Sequence, residues 1–185
     1  MKAAAILDAK DRLEWAREAI PEMTTNAKRF TKAWFEYLDY VDTIYDRLKN
    51  GAMGIPKSWS WYKQTYKDAL NDELLCYLHH ARNAERHGLE PSRGLGAPKL
   101  SRVDNSIKTP PAGQVLLRVN PQITFAMTPP PIRLVPVTDR QGKIYGIPKR
   151  HLGKKLPSMS IPDLATLALK YFEGKLMEAE QLKVD

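Results

Sequence analysis

Four histidines serve 185 residues, and three of them fall within one short run, Leu78-His79-His80-Ala81-Arg82-Asn83-Ala84-Glu85-Arg86-His87-Gly88. An imidazole moves protons near neutral pH, a guanidinium grips phosphate oxygens two at a time, and an amide orients either. Arg82, Asn83 and His87 are thus a chemically sufficient set for cleaving an RNA phosphodiester. His87 would accept the 2′-hydroxyl proton, Arg82 would steady the phosphate, and Asn83 would position one of them. At 100° per residue, Cys76, His80, Asn83 and His87 share one stripe of a helix, with Arg82 at its apolar border. A helix C-terminus there favours the protonated form of His87. The same spacing argues against a metal: His80 and His87 lie about 10 Å apart along the axis, too far to share one zinc ion. No H-E-x-x-H, G-x-G-x-x-G, P-loop or G-x-S-x-G pattern occurs, so neither a metal nor a cofactor is expected.

Helices must position this run. Residues 2 to 20 carry an imperfect apolar face (Ile6, Leu13, Trp15, Ala16, Ala19) before Pro21. Phe30, Trp34, Tyr37, Leu38, Val41, Ile44, Tyr45 and Leu48 then step by three and four, from a cap at Thr25 or Asn26 to a stop at Asn50-Gly51. Trp59, Tyr62, Tyr66, Leu70, Leu74, Tyr77, Leu78 and Ala81 predict a third helix, ended by Gly88 and Pro91. Three helices joined by short connections need a fourth to close their core. Ser160-Ile161-Pro162-Asp163 is a capping signature, and Leu164, Leu167, Ala168, Tyr171, Phe172, Leu176 and Ala179 supply that helix.

With the run placed at the end of a long helix in such a bundle, the chain resembles the HEPN superfamily. The resemblance rests on Arg82-Asn83-Ala84-Glu85-Arg86-His87, an R-x-x-x-x-H motif with a polar residue after the arginine. It implies an antiparallel four-helix bundle over residues 1 to 90 and 160 to 182. It also implies a metal-independent endoribonuclease of toxin or defence type working through Arg82 and His87. A homodimer with two facing motifs and a cognate antitoxin-like protein as partner would go with it. It does not account for the β-rich residues between.

Those residues hold the charge. Up to residue 92 the chain carries 14 Lys and Arg against 14 Asp and Glu; from residue 93 onward it carries 15 against 7. Residues 91 to 111 read as a loop or linker, Ser92 to Pro111 being rich in Gly, Pro, Ser and Lys, and 112 to 150 as a small β-rich insertion. Its runs are Val115 to Val119, Gln122 to Met127, Ile132 to Val137 and, after the turn Thr138 to Gly142, Lys143 to Ile147. Arg140, Lys143, Lys149, Arg150, Lys154 and Lys155 follow without an intervening acid, a candidate phosphate-binding segment for RNA.

One domain over 1–185 is the expectation, α+β and α-dominated, with the β insertion before the last helix. The single cysteine, Cys76, excludes an intramolecular disulfide and favours a cytoplasmic setting, and no apolar run is long enough for a membrane span. Trp59, Trp61 and Tyr62 crowd the third helix beyond one apolar stripe, a further reason to expect a homodimer. Against the nuclease stands a non-catalytic helical interaction or scaffolding module with a basic segment for nucleic acid or a partner. In it Arg82 would pair with Asp39, Asp42 or Asp46, and His87 would cap its helix.

Overall fold

The computed structural model describes residues 1–25, 27–87, 91–95, 99–104, 106, 109–110, 114–120, 123–128 and 132–184. Over the described residues the chain is mixed α and β: five helices, α1 (Ala3–Thr25), α2 (Ala27–Ala52), α3 (Pro56–Asn71), α4 (Glu73–Arg86) and α5 (Ile161–Glu180), with several small sheets. It divides into two compact units, residues 1–92 with 135–185, and residues 93–134.

In the helical unit α2 buries every residue of its apolar period, from Phe30 to Leu48. α1 lies along α2 and also meets α5. It runs past Pro21, where the sequence suggested a stop, and Thr24 Oγ1 donates to the Pro21 carbonyl at 2.8 Å. Of the two residues expected to cap α2, Thr25 is the last residue of α1, while Asn26, like the stop expected at Gly88, lies outside the described residues. At Gly51 a Cβ would stand 2.5 Å from the Ala5 Cβ, so the two helices approach through a position that only glycine fits. α5 begins with the expected capping box: Asp163 N–H donates to Ser160 Oγ at 3.3 Å and Ser160 N–H to Asp163 Oδ2 at 3.1 Å.

The third expected helix is two. Asp72 breaks it with extended backbone and caps α4, its Oδ1 accepting from Leu75 N–H at 3.0 Å. The break resets the helical phase. α3 turns Ser58, Tyr62, Thr65 and Ala69 inward, and Leu70, expected in the core, is 38% exposed. Of the aromatics that suggested a dimer, Tyr62 is buried, the half-buried Trp59 stacks on it with ring centroids 5.6 Å apart, and the half-buried Trp61 donates its indole N–H to Glu178 at 2.9 Å.

Residues 135–155 belong to this unit as well. The hairpin β6 (Val137–Thr138) and β7 (Ile144–Tyr145) forms across the expected turn, with Gly142 at φ +82°. A second hairpin, β8 (Arg150–His151) and β9 (Lys154–Lys155), turns through Leu152 and Gly153, both at positive φ. Asp72 holds it: the buried His151 places Nδ1 3.0 Å from Oδ1, and Leu152 N–H donates to Oδ2 at 2.6 Å. Ser92 and Val135, where the chain leaves and re-enters this unit, are tied directly, Val135 N–H donating to the Ser92 carbonyl at 3.1 Å. The Tyr77 hydroxyl lies 2.8 Å from that carbonyl and 2.6 Å from that of Val135. Ser92 Oγ accepts from the Trp34 indole N–H at 2.8 Å and donates to Glu85 at 2.8 Å.

The second unit is antiparallel. β1 (Arg93–Leu95) pairs with β5 (Ile132–Leu134), and β4 (Ile123–Thr128) lies between β2 (Lys99–Val103) and β3 (Val115–Asn120). β1 and β2 correct the reading of Ser92 to Pro111 as loop. The separate strand unit thus spans residues 93–134, starting before residue 112, and the strands from β6 to β9, which reach Lys155, belong to the helical unit.

Candidate functional site

The last turns of α4 divide their polar groups between two directions. Inward, toward α2, Arg82 is nearly enclosed, its side chain 14% exposed. Nη2 lies 3.3 Å from Asp39 Oδ1, and Nη1 lies 3.3 Å from Asp42 Oδ2. Nη1 also donates to Asn83 Oδ1 at 3.2 Å, which fixes the amide so that Nδ2 faces His79 Nε2 at 3.2 Å. His79 then carries its proton on Nδ1 and donates to Asp42 Oδ1 at 2.9 Å. Of the three aspartates that could answer Arg82, Asp39 and Asp42 do. His79, not among the residues expected at the site, closes the network. Its signal was the four-residue step to Asn83, which stacks the two side chains on one helical face.

Outward, α4 ends at His87, whose N–H donates to the Asn83 carbonyl at 3.1 Å. Its side chain is exposed, and Nδ1 lies 2.6 Å from Arg140 Nη2 in the β6–β7 turn. A guanidinium can only donate, so Nδ1 accepts and the ring proton sits on Nε2. Desolvation, followed by the charges of Arg140, Arg86 and Arg82, lowers the His87 pKa. Desolvation and the three guanidinium groups together thus act against the protonated form that the helix end alone would favour.

Around this pair lies an open cleft of about 450 Å³ lined by His80, Asn83, His87, Asp139, Arg140 and Tyr145. The β6–β7 turn is held by Asp139, whose Oδ1 accepts from Gln141 and Lys143 N–H groups, each at 2.9 Å. Tyr145 donates to Asp139 Oδ2 at 3.1 Å and stacks on His80 with ring centroids 3.5 Å apart. Burial, then the neighbouring His79, brings the His80 pKa down to about 4, with Lys143 adding to the effect and Asp139 opposing it. The His80 imidazole is therefore uncharged at neutral pH, and the surroundings of His87 disfavour its charged form as well.

The six cations of the basic segment are not one patch. Arg140 is at His87, and the Lys143 ammonium lies 4.9 Å from the Tyr145 ring centre. Lys149 and Arg150 are at the opposite end of α4, where their N–H groups donate to Glu73 at 2.8 and 3.1 Å. Fourteen residues of helix separate the two groups, about 20 Å at 1.5 Å per residue. Lys154 and Lys155 are exposed on β9. Arg82 and Asn83 are joined, as are His87 and Arg140, but Arg82 turns away from the cleft. Among the described residues, no three His, Cys, Asp or Glu side chains come together to hold a metal ion, and no helix is long and apolar enough to cross a membrane. Compared with protein-family models, curated proteins and solved structures, the chain matches none.

Proposed function

We propose that this chain is a HEPN-like, metal-independent endoribonuclease acting at the C-terminal end of α4, with His87 moving the proton and Arg140 holding the phosphate. The contact of Arg140 with His87 at 2.6 Å in an open cleft carries this reading, because it joins the candidate base to a candidate phosphate cation. A phosphate is a stronger acceptor than an imidazole, so an entering phosphodiester draws the Arg140 donor to itself and frees the Nδ1 lone pair. His87 then takes the 2′-hydroxyl proton. The 2′ oxygen bonds to phosphorus as the bond to the 5′ oxygen breaks, and the proton leaves on that oxygen. The products are a 2′,3′-cyclic phosphate and a 5′-hydroxyl. Arg82 and Asn83 are positioning residues here, bracing α4 against α2. The bundle in this reading is α1, α2, α4 and α5, with α3 an added element. A homodimer that brings two His87 side chains together, and an antitoxin-like protein that covers them, are the partners it calls for.

Labelled RNA incubated with excess chelator tests it. Cleavage that persists, ends in cyclic phosphate, and is lost in His87→Ala and cut at least a hundredfold in Arg140→Gln is the expected outcome. Cleavage abolished by chelator, or retained in His87→Ala, rejects it. A non-catalytic helical interaction module is the second reading, favoured by the answering of Arg82 within its own chain by Asp39 and Asp42. RNA retained without cleavage by the unaltered protein selects that one.

A further inference from the structure

At the other end of α4 from His87, the β8–β9 hairpin and the segment after it stand beside α5 and enclose a cleft of about 470 Å³. That lies within the range of small-molecule sites, roughly 300–1,000 Å³. Its walls are hydrocarbon, from Leu152, Leu156, Met159, Leu167 and the ring of Tyr171. Three lysines, Lys154, Lys155 and Lys170, also line it, all exposed and none with a carboxylate partner among the described residues. The other polar groups in the wall are engaged elsewhere: His151 is held by Asp72, and the Tyr171 hydroxyl faces the Thr65 carbonyl at 3.5 Å. Leu152 stands at the rim with φ +48°, a conformation that costs a leucine energy, and is 60% exposed.

The geometry points to a binding site for a small amphiphilic anion, a medium-chain carboxylate whose hydrocarbon tail fills the cleft and whose head group meets the lysines. Uncommitted lysines supply charge complementarity for one anionic head and nothing for a cation. Apart from the lysines the wall is hydrocarbon, or side chains whose polar atoms are already engaged, so it suits an alkyl chain, which needs no hydrogen-bond partner. Covering Leu152 removes an exposed leucine from water at a position where the backbone is already strained to hold it. The inference is independent of the RNA reading, since none of its residues touches the His87 cleft.

Calorimetric titration of the full chain with octanoate, decanoate and dodecanoate, each below its micelle threshold, tests it. Affinity should rise about fourfold per methylene, from the transfer of each CH₂ out of water. The uncharged decanol should bind at least tenfold more weakly than decanoate. The triple substitution Lys154→Gln, Lys155→Gln, Lys170→Gln should also cost tenfold or more while leaving the far-ultraviolet circular dichroism unchanged, and Leu152→Gly should weaken binding at an intact fold. No heat with 1 mM decanoate, affinity independent of chain length, or an unaffected triple variant overturns the proposal. So does retention of the protein by phosphatidylglycerol vesicles or an RNA dodecamer without binding of monomeric decanoate.

Discussion

Replacing Asp72 by alanine removes three contacts with one carboxylate. Its Oδ1 caps α4 through Leu75 N–H and meets His151, and its Oδ2 holds Leu152 N–H at 2.6 Å. A lost N-cap costs about 1 kcal/mol. A lost hydrogen bond to a charged acceptor costs roughly 1.5–3 kcal/mol. The buried His151 ring is left without its carboxylate, and the left-handed Leu152 loses the bond that holds it. The sum is about 3–5 kcal/mol, or a melting temperature lower by roughly 6–20 °C at 2–4 °C per kcal/mol. Asp72→Asn keeps a capping oxygen but cannot accept from all three neighbours, and should cost about half as much. The acid dependence follows from the carboxyl itself. Desolvation pushes its pKa up, but the bonds from His151, Leu75 and Leu152 win and hold it below the ordinary value of 3.8. Its contribution is therefore complete above pH 3.8 and fades as the pH falls through the lower folded value. Urea unfolding followed at 222 nm from pH 7 to pH 3 reads both effects. The gap between the parent protein and Asp72→Asn should be constant down to about pH 4 and narrow below it. An alanine variant within about 0.5 kcal/mol of the parent, or a gap that does not change with acid, refutes this account.

Three further outcomes are expected. If His87 is the base, the rate of RNA cleavage should fall only below pH 6.5, because the folded pKa lies under that value, and Arg140→Gln should move the acid limb upward, read from single-turnover rates across pH 5–8. Gly51→Ala should destabilise the helical unit by about 1–3 kcal/mol, since the new methyl group meets Ala5 at 2.5 Å, and differential scanning calorimetry checks it. Tyr77→Phe removes the hydroxyl shared by the Ser92 and Val135 carbonyls and should cost about 1–2 kcal/mol in urea titration with helicity unchanged.

The apolar period of α2 and the capping box of α5 were legible because both are local: period and cap lie within a few residues of sequence. The α3–α4 break was written in the same alphabet, since Asn71-Asp72-Glu73 is a good helix start, but the apolar period on either side masks it. β1 and β2 left no trace because they are exposed edges, without an inward face to impose alternation, and their partners are β5 and β4, far along the chain. For the site, a helix end with Arg82 and His87 could be read directly, and so could the acids facing Arg82. That Arg82 turns inward while Arg140, fifty-three residues beyond His87, takes the place beside that histidine depends on where the β6–β7 turn lands, which no local spacing encodes.

The tie between Ser92 and Val135 makes residues 93–134 a closed excursion from the helical unit. Closing a longer or shorter loop across a fixed stem changes the free energy by only about 0.6 kcal/mol per doubling of its length. The stem, anchored by Tyr77, Trp34 and Glu85, therefore works as a port: what is spliced between its two ends is nearly free to change in length and sequence, whereas the four side chains that form the stem, those three and Ser92, are not. Variation among chains built on this helical unit should accordingly concentrate between these two residues, and a reporter domain grafted there should leave the His87 cleft intact.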